Sequence, residues 1–437
     1  MKHLIKLGIG LSAFIAAALA WSYTDEDHAR QPSAQERAAA AQEKTRARLT
    51  HLAPAKRRDI DYAALDARFK AMVARPNMVG MAVGIVEQGR ITFLSGYGET
   101  LAGSGDAVTP ETVFRWASVS KGVASTMVAK LAEQGKYSLD EPVARLAPSL
   151  QLPNGVQTTA SVADVLSHRL GLYRNAFDNK LEEGQSAAIL RRQLFTLSGL
   201  CAPGTCWSYQ NVAYDAASDV VEKASGRRYE DELKRQLFDP IGMTSASASR
   251  AGLQSAKSWA RGHSVGRREI EVNDVYYGVP AAGGVNSNIK DMALWMLAQM
   301  GEMPAVLSPN LLETIQTGRV ATPNERARMR KFLERLSEPQ YGLGWRSYLY
   351  AGNRIVGHRG GVNGYRSLIL FDSVRKSGVV ALWNSNTSQP GGLEFEVMDM
   401  IYKLPFRDWM ELDKVPSRAA PAPAPIEEIE ASFGDRR

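Results

Sequence analysis

Strand signals stand at the two ends of this chain and are sparse between them. Val79–Val86 alternates and is rich in β-branched residues, Glu87-Gln88-Gly89 is a turn, and Arg90–Tyr97 reads as a second strand, which makes a hairpin. Far along the chain, Arg354–Gly360, Tyr365–Phe371 and Gly378–Trp383 read as further strands, separated by Gly/Asn and Lys/Ser/Gly turns. The middle carries helical spacing over 118–134, 161–168, 186–198, 212–224, 229–237, 289–300, 309–316 and 324–336. These patterns predict an α+β fold. The N- and C-terminal segments build one antiparallel β-sheet flanked by helices, and a large, mostly helical insertion separates them.

Length and composition suit a globular protein with a sizeable core: 437 residues, 44% hydrophobic and 23% charged. The net charge of +7 is scattered, without a long basic block, so nucleic acid is not an expected partner. Lys2 and Lys6 precede an apolar run, Leu7–Ala20, that ends in Ala18-Leu19-Ala20. Residues 1–20 therefore read as a cleaved secretory signal, short of the ~20 apolar residues of a spanning helix. A periplasmic or secreted location follows, with no stable transmembrane span. Residues 21–57 read as a polar, partly helical linker, 58–405 as the folded domain, and 406–437 as a Pro/Ala-rich, weakly ordered tail. Cys201 and Cys206 are the two cysteines, and in an exported protein they are expected to pair. They lack a second ligand pair, so neither a metal site nor a cofactor is expected.

Chemistry concentrates in three short stretches. Ser118-Val119-Ser120-Lys121 lies where a strand-like segment enters a helical one. A spacing of three puts Ser118 and Lys121 on one helix face, a nucleophile beside its base, near backbone N–H groups able to meet a developing negative charge. A capping serine and a solvated lysine would have the same spacing. Tyr209-Gln210-Asn211 follows the cysteine loop. If that segment is extended, Tyr209 and Asn211 point the same way, and a tyrosine hydroxyl beside a cation can relay a proton. A loop tyrosine and a helix-capping asparagine are the plainer alternative. In Gly357-His358-Arg359-Gly360-Gly361, alternation puts His358 and Gly360 on one strand face and Arg359 on the other. The glycines would let another backbone approach closely.

The order S-x-x-K, then Y-x-N about 90 residues on, then H-x-G about 150 residues beyond, resembles the serine β-lactamase and penicillin-binding-protein family. The resemblance is to its class C β-lactamase-related branch, which includes D-Ala-D-Ala carboxypeptidases, D-aminopeptidases and esterases. It covers about residues 60 to 403. Further segments agree, among them Leu166-Ser167-His168-Arg169-Leu170-Gly171-Leu172, where Leu170 replaces the usual serine, and Tyr341-Gly342-Leu343-Gly344-Trp345.

The resemblance implies a β-lactamase/transpeptidase-like fold and catalytic roles for Ser118, Lys121 and Tyr209. Ser118 would be acylated, and Lys121 and Tyr209 would share the proton transfers. Asn211, His358, Gly360 and Gly361 would bind substrate, with the N–H groups of Ser118 and Gly361 as the oxyanion hole. The third motif departs from the family's Lys-Thr-Gly, since His358 and Arg359 stand in the first two places. The expected substrate is a small molecule or peptide with an amide to cleave, a β-lactam or a D-amino-acid peptide, with peptidoglycan-derived peptides among the candidates. A carboxylesterase of the same fold is the alternative, and a non-catalytic binder of cell-wall fragments is the third reading.

Overall fold

The computed structural model describes residues 60–413. The expected signal at 1–20, the linker at 21–57 and the part of the expected tail beyond 413 lie outside the described residues.

In chain order the strands are β1 (Gly80–Glu87), β2 (Arg90–Gly98), β3 (Val113–Arg115), β4 (Gly262–His263), β5 (Glu269–Ile270), β6 (Asn286–Asn288), β7 (Val320–Ala321), β8 (Leu336–Tyr341), β9 (Arg346–Tyr350), β10 (Asn353–Val362), β11 (Tyr365–Asp372) and β12 (Ser377–Trp383). Eight of them form one antiparallel sheet in the order β2-β1-β12-β11-β10-β9-β8-β7. The N-terminal and C-terminal strand groups meet where β1 pairs with β12, from Met81↔Trp383 to Val86↔Gly378. This is the antiparallel sheet that the terminal strand signals predict, extended by β7, β8 and β9, which those signals did not include. The β1–β2 turn has Gln88 at φ 50° and Gly89 at φ 75°. A two-residue turn with both positions left-handed matches the twist of the strands it joins.

Both faces of the sheet are covered. Met81, Val83, Ile85, Val379, Ala381 and Trp383 belong to one core. Their alternates Ala82, Val86, Val380 and Leu382 belong to the other. This period of two explains why β1 and β12 read as near-continuous apolar runs: every residue of either strand is buried. The first core takes α1 (Tyr62–Val73) and α6 (Leu393–Tyr402) through Leu65, Phe69, Phe395 and Val397. The second takes the helical insertion, including α2 (Ser120–Glu133), α3 (Asp178–Glu182), α4 (Pro280–Gly283) and α5 (Ile289–Gln299).

Two sequence expectations are corrected, and one helix is new. The helical spacing at 324–336 holds only for Pro323–Arg328 and a short turn at Arg330–Phe332; Leu336 opens β8. β8 was hidden by Pro339 and by a bulge, where Glu338 takes φ 49° and the register shifts between Ser337 and Gln340. α6 was hidden by its acids. Glu394, Glu396 and Asp399 are buried, and each meets an arginine: Arg359, Arg68 and Arg335 respectively. Finally, the domain does not stop at 405. Trp409 and Met410 are buried, Trp409 Nε1 donates to Asp399 Oδ2 at 2.7 Å, and the Met410 N–H donates to Glu396 Oε1 at 2.8 Å.

The 406–413 segment therefore packs on the core through Trp409 and Met410, and Trp409→Ala should cost about 3 kcal/mol in urea unfolding. An unfolding midpoint equal to that of the parent protein would return the boundary to 405.

Candidate active site

β3 ends at Arg115, and Ser118 sits in the single 3-10 turn Ala117–Val119 that feeds α2. The turn is held from several sides. The Trp116 N–H donates to Val285 O at 2.8 Å, Ser367 Oγ donates to Trp116 O at 2.5 Å, and Trp116 Nε1 donates to Ser287 Oγ at 2.9 Å. Ala117 is forced to φ 48°, a left-handed conformation that costs a residue with a Cβ. Ser118 is half-buried, while Ala117, Val119, Ser120 and Lys121 are buried.

Lys121 is 0% exposed. Its Nζ donates to Asn211 Oδ1 at 2.6 Å and to Ala282 O, on α4, at 2.9 Å. It also lies 4.7 Å from the centre of the Tyr209 ring and 5.3 Å from that of Tyr214. The structure thus brings Lys121, Tyr209 and Asn211 together, and the solvated-lysine alternative falls. Asn211 is no helix cap either, because the helix expected from 212 begins at Ala216.

The other end of the Asn211 amide reveals a residue that the motifs missed. Asn211 Nδ2 donates to Asp178 Oδ2 at 2.6 Å. An ammonium can only donate and a carboxylate can accept, so the two partners fix which way the amide points. Burial pushes the Asp178 carboxyl above its ordinary value, against the Asn211 hydrogen bond and the Lys121 charge. In the sequence Asp178 looks like a polar residue in a surface turn. Its one local signal is its place directly after the apolar Ala176-Phe177 pair, which is buried.

The Tyr209 segment is braced by the loop before it. Cys201 and Cys206 form the expected disulfide. That loop docks on 168–171: the Leu200 N–H donates to Gly171 O at 2.7 Å, the Gly204 N–H to Arg169 O at 2.7 Å and the Ser208 N–H to His168 O at 2.9 Å.

β10 closes the site. A Cβ built on Gly360 would lie 2.4 Å from Trp116 O and 3.0 Å from Ser118 N. Only glycine lets the strand and the Ser118 turn approach this closely. β9 pairs with β10 no further than Gly357↔Arg346, so beyond that point this edge of β10 carries no strand, and Gly361 is exposed. Arg359 points to the opposite face, as alternation predicts, and pairs with Glu394.

His358 departs from its expected role. It is 3% exposed, and both ring nitrogens are engaged by the protein. The partners define one direction of donation. The Gln210 N–H donates to His168 Nδ1 at 3.2 Å, so His168 carries its proton on Nε2, which meets Tyr341 Oη at 3.1 Å. Tyr341 then donates to His358 Nε2 at 3.1 Å, and His358 Nδ1 donates to Arg359 O at 2.7 Å. Burial drives both imidazoles well below their usual pKa, helped by the Lys121 and Arg346 charges, and burial keeps the Tyr341 hydroxyl protonated. His358 is a neutral link between the Tyr209 segment and β10, not a cation presented to a ligand. Tyr341 and His168 were legible only as echoes of family segments.

These assignments predict titration behaviour. Unfolded imidazoles take up protons below about pH 6.5, whereas the folded ones do so only at lower pH. The unfolded state therefore binds more protons there. Each histidine lowers stability by up to about 1.4 kcal/mol per pH unit as the pH falls below 6.5. In nitrogen-15 NMR between pH 6 and 8, His168 should remain the Nε2–H tautomer and His358 the Nδ1–H tautomer. A midpoint near 6.5 for either would contradict the chain of donors.

A profile of the family described as Beta-lactamase matches residues 65–399. The chain is 27% identical over 333 residues to the unguisins hydrolase ungD' of Aspergillus campestris, covering 73% of this chain and 60% of that protein. It is 28% identical over 222 residues to the D-alanyl-D-alanine-carboxypeptidase/endopeptidase AmpH of Escherichia coli K12, covering 50% and 56% of the two. The chain thus spans little more than half the length of these relatives. The octameric penicillin-binding protein homologue from Pyrococcus abyssi superimposes with a TM-score of 0.72 at 22% identity over 80% of each chain, a likeness of fold. Among the described residues no helix is long and apolar enough to cross a membrane. With its sheet, its Ser-x-x-Lys turn and a family match over most of its length, the chain belongs to the β-lactamase family of serine hydrolases.

Proposed function

We propose that this chain is an exported serine hydrolase that forms an acyl-enzyme on Ser118 and cleaves an amide, in a β-lactam or a D-amino-acid peptide. The observation that carries the reading is the half-buried Ser118 turn wedged against Gly360, with the buried Lys121 ammonium one helical turn behind it. Ser118 Oγ attacks the carbonyl carbon as its proton passes to the Lys121–Tyr209 pair, which starts one proton short as a Tyr209 phenolate beside the Lys121 ammonium. The negative oxygen forms between the N–H groups of Ser118 and Gly361. Such a donor is worth roughly 3 kcal/mol. The free N–H of Asn211 holds the substrate amide. The proton then goes to the leaving amine, and water attacks the acyl-enzyme to release the acid and restore Ser118. Export is supported by the Lys2/Lys6 and Leu7–Ala20 pattern and by the Cys201–Cys206 disulfide, a bond that persists in oxidising compartments.

Ester hydrolysis by the same steps is the second reading. It is favoured by the His358 geometry, since a neutral His358 and an averted Arg359 do not offer the strand cation that a substrate carboxylate would meet in Lys-Thr-Gly.

Labelling with a fluorescent penicillin and a fluorophosphonate, beside Ser118→Ala, tests both readings. Ser118-dependent label from both reagents, with nitrocefin turnover, is the expected result for the amide reading. Fluorophosphonate label alone, with p-nitrophenyl ester turnover and no nitrocefin turnover, assigns the esterase. No Ser118-dependent label from either reagent refutes both.

A further inference from the structure

Asp215 is a buried carboxylate that the acylation steps do not use. It is 1% exposed and stands directly before the helix Ala216–Ser225. Its backbone N–H donates to Asn211 O at 3.1 Å. Its Oδ1 accepts from the Ala281 N–H at 2.9 Å, and its Oδ2 accepts from Arg191 Nη1 and, at 3.3 Å, from Ser218 Oγ. Arg191, 5% exposed on the helix Ala187–Gln193, also donates from Nη2 to Asp219 Oδ1 at 3.0 Å and from Nε to Ser149 Oγ at 2.9 Å.

Asp215 thus grips the chain on both sides of the Lys121 ammonium. Asn211 gives that ammonium its Oδ1, and Ala282, the residue after Ala281, gives its carbonyl. α4 has no side-chain cap of its own. Pro280 has no N–H, and the N–H groups of Ala282 and Gly283 donate to Val279 O at 2.9 and 3.1 Å. The Ala281 N–H is the donor of this turn that Asp215 meets from outside, and a buried N–H left unmet is costly.

Every side-chain partner of the Asp215 carboxylate is a donor, so the geometry suits the ionised form. Burial opposes that form, helped by the Asp219 charge, and lifts the carboxyl to about 7, while Arg191, the Ala281 N–H and Ser218 pull the other way. A buried pair like Arg191–Asp215 adds little stability over apolar side chains of the same volume. Such side chains would fill the space, yet they could not accept the Ala281 N–H.

We propose that Asp215 is a positioning residue for acylation: its carboxylate ties α4 to the Asn211 segment and so holds Ala282 O on the Lys121 ammonium. Arg191 is the counter-charge that lets this carboxylate stay buried. The proposal rests on the reading of Ser118 as the nucleophile with Lys121 in its proton-transfer pair.

Two double variants remove the ion pair alike and differ in the acceptor. Arg191→Met with Asp215→Asn keeps an oxygen for the Ala281 N–H, and Ser218 Oγ can accept from the new amide. Arg191→Met with Asp215→Leu keeps the volume and no acceptor. With a p-nitrophenyl ester in stopped flow, the Leu form should acylate at least about tenfold more slowly than the Asn form, the weight of a hydrogen bond to a charged group, at an unchanged half-saturating ester concentration. A purely structural role would lower the melting temperature and leave the two rates equal, and equal rates overturn the proposal. So does a difference confined to half-saturation. If the Leu form does not fold, Arg191→Met with Asp215→Ala takes its place. If the parent protein is acylated by no ester, the hydrolase reading fails separately, and Lys121 itself decides the positioning. N-hydroxysuccinimide acetate, followed by peptide mapping, should then modify Lys121 faster in the Leu form than in the Asn form. Equal modification overturns the proposal.

Discussion

The arrangement of this molecule depends on one buried positive charge. Lys121 has no exposed surface and, among the described residues, no carboxylate in contact, yet an ammonium taken from water costs several kcal/mol unless its protons are met. Two acceptors, Asn211 Oδ1 and Ala282 O, come from different parts of the helical insertion, and the carboxylate of Asp178 acts one amide further out. The rings of Tyr209 and Tyr214 cover other sides, and Tyr214 Oη donates to the Lys121 carbonyl at 2.8 Å. α2, the 209–214 segment, α3 and α4 must therefore assemble together for the charge to be satisfied. A site built this way is organised before any substrate arrives, which is where electrostatic catalysis gains most.

The sheet supplies the opposite wall. Gly360 lets β10 press on the turn that carries Ser118, and Ser367 on the neighbouring strand binds the Trp116 carbonyl of that turn. The His168–Tyr341–His358 chain runs from the Gln210 N–H to the Arg359 carbonyl, so it ties the Tyr209 segment to β10 through side chains alone. The histidine that stands in the family's lysine position is thereby a spacer. Positive charge for a substrate would have to come from elsewhere.

Much of this was legible in the sequence because it is local. Ser118 and Lys121 are one helical turn apart, Tyr209 and Asn211 are two residues apart, and Arg359 alternates away from Gly360. The terminal strands were legible because β1 and β12 are buried on both faces and so are uniformly apolar. What escaped is non-local. Asp178 is defined by an amide 33 residues later, and Tyr341 by two histidines on either side of it in the chain. α6 looked too acidic for a buried helix because the arginines that neutralise it lie in α1, β10 and the segment before β8. The terminal segment through Trp409 was masked by its place just ahead of a Pro/Ala tract.

The role proposed for the buried Lys121 ammonium is to prepare Ser118 for acylation. A rapid-quench time course of the intact protein mass with a p-nitrophenyl ester, followed by peptide mapping, tests it in the parent protein and in Lys121→Met. The expected result is a single acyl adduct on Ser118 that forms at least about a hundredfold more slowly in Lys121→Met, the usual weight of a lost member of a proton-transfer pair. An adduct on another residue, or an equal rate in the two proteins, would contradict it.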